Sequence, residues 1–379
     1  MIFHQAAAVY YTGLIVVAVY FFVMATANIL EMKKRSLSPK LKGGPFVSVL
    51  IPARNEEDHI ERCVNSLRVQ DYGDYEILVI DDNSSDSTYD RAREIARKDS
   101  RVAVYQGRPL PPDWNGKAFA LHQLAAYARG DILLFTDADT VHAPTSVSWA
   151  ATNLQESGAD FISGYVGQVL KTFGERITVP VMFFLTGFVI PMFLNKVIKF
   201  GYFSAAVGQY IAVRREVFQK TGGFEAVKNK TSEDIYMARH IKEQGYRTEF
   251  LDMADQVRCR MYNGFRAGVQ GIGKNIYDFT GKNPWALVFI ALLILFFFCL
   301  PFPLLVYSLL VRGPLPPQLL TACGLSTLTW LVLFISRKMS WYNAFVWPVM
   351  YLSLLCMVFW SFYRTVSGRG FVWKGRVVN

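Results

Sequence analysis

Four long stretches without charged residues constrain how this chain can fold. A helix needs about 20 consecutive apolar residues to cross the hydrocarbon core of a membrane, and each stretch is long enough to do so. The uncharged stretches are residues 1–30, 284–311, 316–336 and 343–363.

The rest of the chain divides around these stretches. Residues 43–275 mix charged residues with short apolar runs, which is typical of a globular domain. We therefore expect a transmembrane anchor over 1–31, a globular domain over 43–275, and a carboxyl-terminal region over 276–379 with about three transmembrane helices and a basic tail. Residues 179–200 are apolar but contain two prolines. A crossing there would divide the globular domain between two sides of the membrane, so we expect an interfacial or core helix.

The net charge of +10 lies beside the apolar stretches. Residues 31–42 carry five basic and one acidic residue, and residues 276–379 carry eight basic and one acidic. Residues 43–275 are nearly neutral, with 27 basic and 28 acidic residues. This is the positive-inside pattern of a multi-pass protein of the plasma or inner membrane with a cytoplasmic globular domain, and it argues against nucleic acid as a partner.

The two ends of the chain leave alternatives open. Ala25–Ala27 resembles a signal-peptide cleavage site, but no basic residue precedes the apolar run, so we expect an uncleaved anchor. Three carboxyl-terminal crossings would place the tail opposite the globular domain, whereas the basic tail favours the same side. Pro301 and Pro303 could instead break 284–311 into a re-entrant segment.

The globular part alternates apolar strands with helical patterns. Short apolar runs at 47–51, 77–80, 102–105 and 132–135 predict four strands. Strands that alternate with helices indicate an α/β fold with a Rossmann-like, mainly parallel sheet. Ligands bind such sheets outside the carboxyl ends of the strands, so the loops that follow these runs are candidate functional segments.

Two carboxylates follow the fourth predicted strand directly, in Asp137-x-Asp139. Oxygen ligands of this kind suit Mg²⁺ or Mn²⁺, and such an ion can bridge the phosphate oxygens of a substrate. Asp-x-Asp is common in surface loops, but its position at the end of a buried strand favours a metal site. We therefore predict a divalent metal ion as cofactor, with Asp139 and Asp137 as candidate ligands.

Other polar residues stand in comparable positions. Asp82 follows the second strand and could accept hydrogen bonds from a ribose or base, and the Pro52–Glu57 turn follows the first. Lys117 begins a predicted helix and could neutralise phosphate. Asp234, preceded by Glu233, is a candidate general base, although both residues would also favour a helix amino terminus for structural reasons.

Four motifs occur in the order P-A-R-N-E-E, D-D-N-S-S-D, D-A-D and S-E-D. Together they resemble family 2 glycosyltransferases of the GT-A fold. The resemblance covers about residues 45–275. Within that family the chain is most similar to 4,4′-diaponeurosporenoate (carotenoid) glycosyltransferases and hopene-associated glycosyltransferases, through short matches at 109–117 and 260–262. The tail W-K-G-R at 373–376 also resembles the end of ceramide glucosyltransferases.

The resemblance implies a role for each matched residue. It implies a nucleotide-sugar donor, with UDP as the nucleotide, and a catalytic group formed by Asp234 with Glu233. Asp137 would contact the nucleotide and Asp139 the metal ion. The residues implied in nucleotide-sugar binding are Pro52, Ala53, Arg54, Glu56, Asp82, Lys117 and Asp137.

The function expected from this resemblance is inverting transfer of a single sugar to a membrane lipid or isoprenoid acceptor. A processive polysaccharide synthase is an alternative, but such synthases of the family carry Q-x-x-R-W after the base, and the chain has Gln256–Met261 there instead. A second alternative is a scaffold that binds a nucleotide-sugar without chemistry. The sequence identifies neither the sugar, the acceptor nor the oligomeric state.

Overall fold

The structure of the chain is a computed structural model, which describes residues 2–230, 232–274, 276–280, 283–313, 315–367, 371–373 and 376–378. Ten strands occur in these residues. Their bounds are β1 (Val47–Ala53), β2 (Tyr75–Asp81), β3 (Val102–Gln106), β4 (Ile132–Phe135), β5 (Thr140–His142), β6 (Phe161–Gln168), β7 (Ile211–Arg214), β8 (Thr248–Cys259), β9 (Phe371–Trp373) and β10 (Arg376–Val378).

Fifteen α-helices occur in the same described ranges. They are α1 (Ile2–Arg35), α2 (Ile60–Arg68), α3 (Thr88–Ala96), α4 (Gly116–Tyr127), α5 (Ser146–Ser157), α6 (Phe173–Thr178), α7 (Val181–Phe183), α8 (Arg215–Lys220), α9 (Glu233–Glu243), α10 (Gly264–Gly273), α11 (Ile276–Phe279), α12 (Pro284–Ile294), α13 (Pro301–Leu310), α14 (Pro317–Ser336) and α15 (Trp347–Val366). Short π-helical turns span Phe184–Phe188 and Leu295–Cys299, and 3₁₀ turns span Met192–Lys196, Gly201–Phe203, Gly223–Val227 and Trp341–Val346.

Eight strands form one sheet in the order β3-β2-β1-β4-β7-β6-β8-β5. Strands β3, β2, β1 and β4 pair in parallel, β7 is antiparallel to both β4 and β6, β6 and β8 pair in parallel, and β5 is antiparallel to β8. The mainly parallel α/β sheet predicted from the sequence is therefore confirmed. The carboxyl ends of β1, β2 and β4 meet at one edge, where the predicted motif loops follow.

Four helical segments in the described residues are long and apolar enough to cross a membrane. One is amino-terminal and three are carboxyl-terminal, as the sequence predicted: Ala7–Arg35, Pro284–Leu310, Pro317–Ser336 and Trp341–Val366. Pro301 does not split the second segment into a re-entrant pair, because α12 continues through a π-helical turn into α13. The prolines are accommodated by that local change in helix geometry.

The apolar segment at 179–200 is a series of short turns and not one helix. It comprises α7, the π-helical turn and the 3₁₀ turn at Met192–Lys196, with Pro191 before the last of these. The segment packs along the middle of α1, where Phe21 and Phe184 stack with ring centroids 5.1 Å apart. Asn28 of α1 donates hydrogen bonds of 2.7 Å to the carbonyl oxygens of Gly187 and Ile190. The amide thus gives a donor to Gly187 and a second donor to Ile190, which also accepts from the backbone of Met192.

One hydrophobic core joins the sheet to the long apolar helices. It contains Ile29 of α1, Tyr165 and Phe250 of the sheet, Trp330 of α14 and Tyr351 of α15, all buried. Ion pairs fix the ends of two of these helices to β8. Arg35 at the end of α1 lies 2.8 Å from Glu249, and Arg337 after α14 lies 2.8 Å from Asp252.

Helix α15 contacts α14 at its start and the helices beside the sheet along the rest of its length. Its first residue, Trp347, donates a hydrogen bond to Thr327 in the middle of α14 (2.9 Å). Farther along, Ser353 donates to the carbonyl oxygen of Ile177 in α6 (2.7 Å), and Ser361 accepts from the backbone of Tyr277 in α11 (3.1 Å). The helix therefore runs from the middle of α14 towards the sheet domain and ends against it.

Candidate active site

The loops after β1 and β2 are interlocked. Arg54 donates from its guanidinium to the carbonyl oxygens of Asp82 and Asn83, and the backbone of Asp82 donates to Ala53 (2.8 Å). Asn55 and Asn83 both take positive φ angles, of 51° and 54°, so the two turns are tight. Five residues of the predicted nucleotide-binding set therefore lie together at the sheet edge: Pro52, Ala53, Arg54, Glu56 and Asp82.

Asp86 has a structural position in this region. Its carboxylate accepts hydrogen bonds from the backbone of Thr88 (3.0 Å), at the start of α3, and of Glu57 (3.2 Å). The carboxylate of Asp86, one residue before the N-cap Ser87, thus ties the start of α3 to the loop after β1. The same carboxylate holds the first motif loop against the second, so the arrangement of the two loops depends on it.

Hydroxyl groups on either side hold the Asp137–Asp139 loop in place. Thr136 donates to the carbonyl oxygen of Gln209 (2.8 Å), and Thr140 donates to that of Asp137 (2.7 Å). Oδ1 of Asp139 is buried without a hydrogen-bond partner. Burial, with the nearby carboxylates of Asp137 and Glu56, raises the pKa of Asp139 to about 7. An unpartnered buried carboxylate oxygen is costly unless a cation binds it.

Lys117 connects the aspartate loop to the third acidic motif. Asn115 caps α4 by accepting from the backbone of Lys117 (3.2 Å), which places the lysine at the first turn of the helix. Its Nζ lies 2.6 Å from Oδ1 of Asp137 and 3.6 Å from Oε1 of Glu233. Burial would lower the pKa of this ammonium group, but the two carboxylates raise it above its usual value. Lys117 is therefore charged and paired on both sides.

Glu233 and Asp234 begin α9 and face this cluster. The two oxygens of Asp234 accept hydrogen bonds from the backbone of Gly208 and of Ile235, each at 2.8 Å. Burial raises the pKa of Asp234, and Lys117 acts in the opposite direction. Burial likewise raises the pKa of Glu233 against the effect of Lys117. A carboxylate with a raised pKa is a better proton acceptor, which suits the role of general base predicted for Asp234.

The structure adds residues that the motifs did not indicate. Tyr262 and Lys274 both lie within electrostatic range of Asp137, and Lys274 also of Glu233 and Asp234. Burial raises the pKa of Tyr262 and lowers that of Lys274. Tyr262 belongs to R-M-Y at 260–262, a short match to related glycosyltransferases to which the sequence analysis gave no role. The sequence offered no signal for Lys274, which follows a glycine-rich helix.

A basic cavity opens beside Asp139. Arg260 on its wall is paired with the buried Glu175 at 2.7 Å. Arg62, Lys171 and Arg258 are exposed, so their charges are available to a ligand. The residues that line this cavity with Asp139 include His59, Arg62, Lys171, Arg258 and Arg260.

Acidic loops follow β1, β2 and β4 at the carboxyl edge of the sheet, and Lys117 links Asp137 of the last loop to Glu233 at the start of α9. This is the arrangement expected of the GT-A fold. Residues 48–222 match the model of glycosyl transferase family 2. This part of the chain is a family 2 glycosyltransferase domain.

Similar proteins agree with that assignment. A β-monoglucosyldiacylglycerol synthase of Trichormus variabilis is 36% identical over 110 residues, 28% of this chain and 23% of that protein. A 4,4′-diaponeurosporenoate glycosyltransferase of Staphylococcus haemolyticus is 40% identical over 93 residues, 24% of each. The matched stretches thus span about a quarter of these two relatives.

A solved structure shares the fold along nearly the whole chain. It is the mannosyltransferase PcManGT from Pyrobaculum calidifontis, in complex with GDP-Man and Mn²⁺. The similarity covers 92% of this chain and 99% of that one, with a TM-score of 0.53 and 20% sequence identity.

Proposed function

We propose that the chain is an inverting glycosyltransferase that moves a single sugar from a nucleotide-sugar to a membrane lipid or isoprenoid acceptor. The observation that supports this proposal most directly is the cluster of acidic side chains around Lys117. The lysine pairs with Asp137 on the donor side and approaches Glu233, next to Asp234, on the other side. A sugar held between these groups would have its leaving group and its attacking oxygen on opposite faces.

The reaction follows from these positions. Asp234 takes the proton of the acceptor hydroxyl while that oxygen bonds to the anomeric carbon. The bond from the anomeric carbon to the diphosphate oxygen breaks on the opposite face, and its electron pair leaves with the nucleoside diphosphate. Attack opposite to the leaving group inverts the anomeric configuration. The two backbone hydrogen bonds to Asp234 hold its carboxylate in place for this step.

The residues at the donor side fit a divalent metal ion. Asp139 has an unpartnered buried oxygen, and Asp137 lies two residues away. The described residues contain no group of three or more His, Cys, Asp and Glu that could hold a metal ion without other ligands. One or two carboxylates together with diphosphate oxygens are the usual ligands of Mg²⁺ in such sites. When bound, the ion would neutralise the charge that develops on the departing diphosphate.

The basic cavity supports binding of the diphosphate. Arg62, Lys171 and Arg258 present positive charge beside Asp139, and guanidinium groups suit phosphate oxygens. The interlocked loops with Ala53 and Asp82 would hold the base and ribose. We propose UDP as the nucleotide from the family resemblance. The mannosyltransferase of similar fold was solved with GDP-Man, so both nucleotides belong in the test.

The position of the site supports a lipid acceptor and a membrane location. Val207, next to Gly208 that binds Asp234, packs against the core that continues into the membrane helices. One similar protein is named as a synthase of β-monoglucosyldiacylglycerol, and another as a glycosyltransferase of 4,4′-diaponeurosporenoate. We therefore propose a multi-pass protein of the plasma or inner membrane, with the catalytic domain and the donor on the cytoplasmic side.

The test uses the purified full chain in detergent with a panel of UDP- and GDP-sugars, total membrane lipid, and Mn²⁺, Mg²⁺ or EDTA. We expect metal-dependent labelling of a lipid fraction with one sugar per acceptor. Asp139→Asn should abolish metal-dependent donor binding, and Asp234→Asn should keep donor binding but lose transfer. Asp255→Asn, an exposed carboxylate paired with Lys338, is the control and should behave as the unaltered chain.

Three results would contradict the proposal. A ladder of products would indicate a processive synthase. Donor binding without consumption across the whole lipid panel would indicate a scaffold. Near-normal turnover by Asp234→Asn would show that another group is the base.

A further inference from the structure

A buried imidazole contacts both ends of the aspartate loop. It belongs to His142, the last residue of β5, which follows the loop closely in sequence. Its Nε2 atom lies 3.1 Å from the hydroxyl oxygen of Thr136 and 3.1 Å from that of Thr140. These two buried threonines stand on either side of Asp137 and Asp139, and their hydroxyl oxygens lie 3.0 Å apart. One ring nitrogen therefore meets both residues that hold the loop.

The hydroxyl protons show which ring nitrogen carries the proton. A threonine hydroxyl has a single proton, and each of these two gives it to a carbonyl oxygen of the backbone. Thr136 donates to Gln209 (2.8 Å), and Thr140 donates to Asp137 (2.7 Å). Neither hydroxyl has a second proton for the imidazole, so Nε2 of His142 carries a proton and donates to both oxygens.

The other ring nitrogen is satisfied in the same neutral form. The hydroxyl of Ser146 lies 3.1 Å from Nδ1 of His142 and can donate to it. Oε1 of Gln70 also lies near this hydroxyl, but it keeps the backbone of Val147 as a donor at 3.0 Å. Burial lowers the pKa of His142 to about 3, so the ring stays neutral with one N–H group.

Loss of the Nε2–H group would weaken the hold on Asp137. The oxygens of Thr136 and Thr140 would face each other at 3.0 Å without a proton between them, so one hydroxyl would turn and donate to the other. We expect Thr140 to turn, because the carbonyl oxygen of Asp137 would keep two longer contacts. These are the backbone of Thr140 at 3.3 Å and the thiol of Cys63 at 3.6 Å. The bond of 2.7 Å to the loop would then be lost.

We propose that His142 is a positioning residue of the metal site, and that its Nε2–H group keeps the hydroxyl of Thr140 on the carbonyl oxygen of Asp137. The inference rests on the proposed function, in which Asp137 and Asp139 are the candidate metal ligands. Asp234 accepts its hydrogen bonds from the backbone of Gly208 and its own neighbour in α9, outside this group. We therefore expect His142 to affect binding of the metal ion and not the orientation of the base.

The test compares two amides at position 142 in the purified full chain. In His142→Gln the amide reaches the position of Nε2 and can donate to both threonines, whereas in His142→Asn it ends near the position of Nδ1. Binding of Mn²⁺ is measured from its electron paramagnetic resonance signal, with UDP or GDP present and without sugar or lipid. We expect Asn to weaken Mn²⁺ binding about 10- to 100-fold, the usual effect of losing a partner behind a metal ligand, and Gln to weaken it less than about threefold.

Thr140→Val tests the route of this effect. Valine has nearly the shape of threonine without the hydroxyl, so the change removes the bond to Asp137 and leaves His142 in place. Because the imidazole acts through Thr140, we expect Thr140→Val to weaken Mn²⁺ binding as His142→Asn does, and the double variant to lose little more. Additive losses would overturn the inference, since they would mean that His142 acts on the site by another route.

His240→Asn is the matched control. His240 lies in α9 and donates from Nε2 to the carbonyl oxygen of Thr221 (3.0 Å), so the change removes an imidazole N–H bond elsewhere. It should lower the melting temperature but leave Mn²⁺ binding unchanged. Equal Mn²⁺ affinity in His142→Asn and the unaltered chain, or failure of Gln to restore it, would overturn the inference alone. Absence of Mn²⁺ binding by the unaltered chain with either nucleotide would overturn the proposed metal site, and this inference with it.

Discussion

A side-chain carbon at Gly208 would stand 2.8 Å from Nζ of Lys117 and 3.4 Å from Oδ2 of Asp234. The absence of a side chain at position 208 therefore leaves the space in which the lysine reaches between the two acidic motifs. The backbone of Gly208 also donates to Asp234, so this residue both binds the candidate base and makes room for its neighbour.

Gly208→Ala should displace Lys117 while the chain still folds, because the end of a lysine side chain moves easily. We expect transfer to fall about tenfold or more as the ammonium group leaves the acidic cluster. Thermal unfolding should change little. The measurement is kcat beside the melting temperature. Gly324→Ala is the control, since no atom lies within 4 Å of the added carbon, and unchanged kinetics in both variants would contradict the prediction.

Glu175 should make stability depend on pH in the acid range. Burial would raise the pKa of its carboxyl group, but hydrogen bonds from Arg260 and from the backbone of Lys171 and Thr172 lower it from 4.5 to about 2. A lowered pKa stabilises the fold at pH above the unfolded value, so this contribution, about 3 kcal/mol, should disappear as the pH falls from 4.5 towards 2.

Unfolding of Glu175→Gln at several pH values measures this contribution. The variant should be destabilised at neutral pH, because Arg260 loses its partner, and should show a flatter dependence between pH 4.5 and 2. Glu94→Gln removes an exposed pair with Lys98 and should leave the free energy of unfolding nearly unchanged. A parallel pH dependence in Glu175→Gln and the unaltered chain would be evidence against the assignment.

Asn28→Leu should lower the stability of the packing between α1 and the irregular segment that follows α7. The change removes two hydrogen bonds to carbonyl oxygens and one from the backbone of Phe193. At about 0.6 kcal/mol each in a membrane setting, the loss is about 2 kcal/mol. Thermal unfolding in detergent measures it. Thr12→Val in the same helix removes only a bond to the carbonyl oxygen of Ala8 and should leave the melting temperature unchanged.

The tail after α15 should lie on the same side of the membrane as the catalytic domain. Helix α15 begins beside the middle of α14 and ends beside α11, so we expect it to cross only part of the apolar layer. Reporter fusions at the carboxyl terminus and within the catalytic domain should therefore give the same side, and an amino-terminal fusion the opposite one. A carboxyl-terminal reporter on the opposite side would mean that α15 crosses completely.

The sequence predicted the first half of the sheet well and the second half poorly. The four apolar runs from Val47 to Phe135 correspond to β1–β4 within a few residues, because β1, β2 and β4 are buried on both faces and β3 is partly buried. Strands β5–β8 were not predicted. β5 has three residues, and β8 mixes acidic and basic residues with apolar ones, so only pairing across the sheet identifies them.

The candidate site shows the same division. Asp137, Asp139 and Asp234 could be named because each stands at the end of a strand or the start of a helix. Lys274 could not be named, because only the folded chain brings this residue within electrostatic range of Glu233 and Asp234. The tail motif at 373–376 has strand residues at Phe371–Trp373 and Arg376–Val378, while Lys374 and Gly375 lie outside the described residues.

The hydrogen bonds of Asn28 have a consequence for how such proteins can diverge. Helix α1 supplies polar partners and an aromatic ring to a segment more than 150 residues away. Recombination that exchanged this helix for an unrelated hydrophobic one would remove the donor that Asn28 supplies to Gly187 and would leave Ile190 with the backbone of Met192 as its donor. We therefore expect the first helix and residues 181–192 to be inherited together, so that the anchor and the enzyme evolve as one unit.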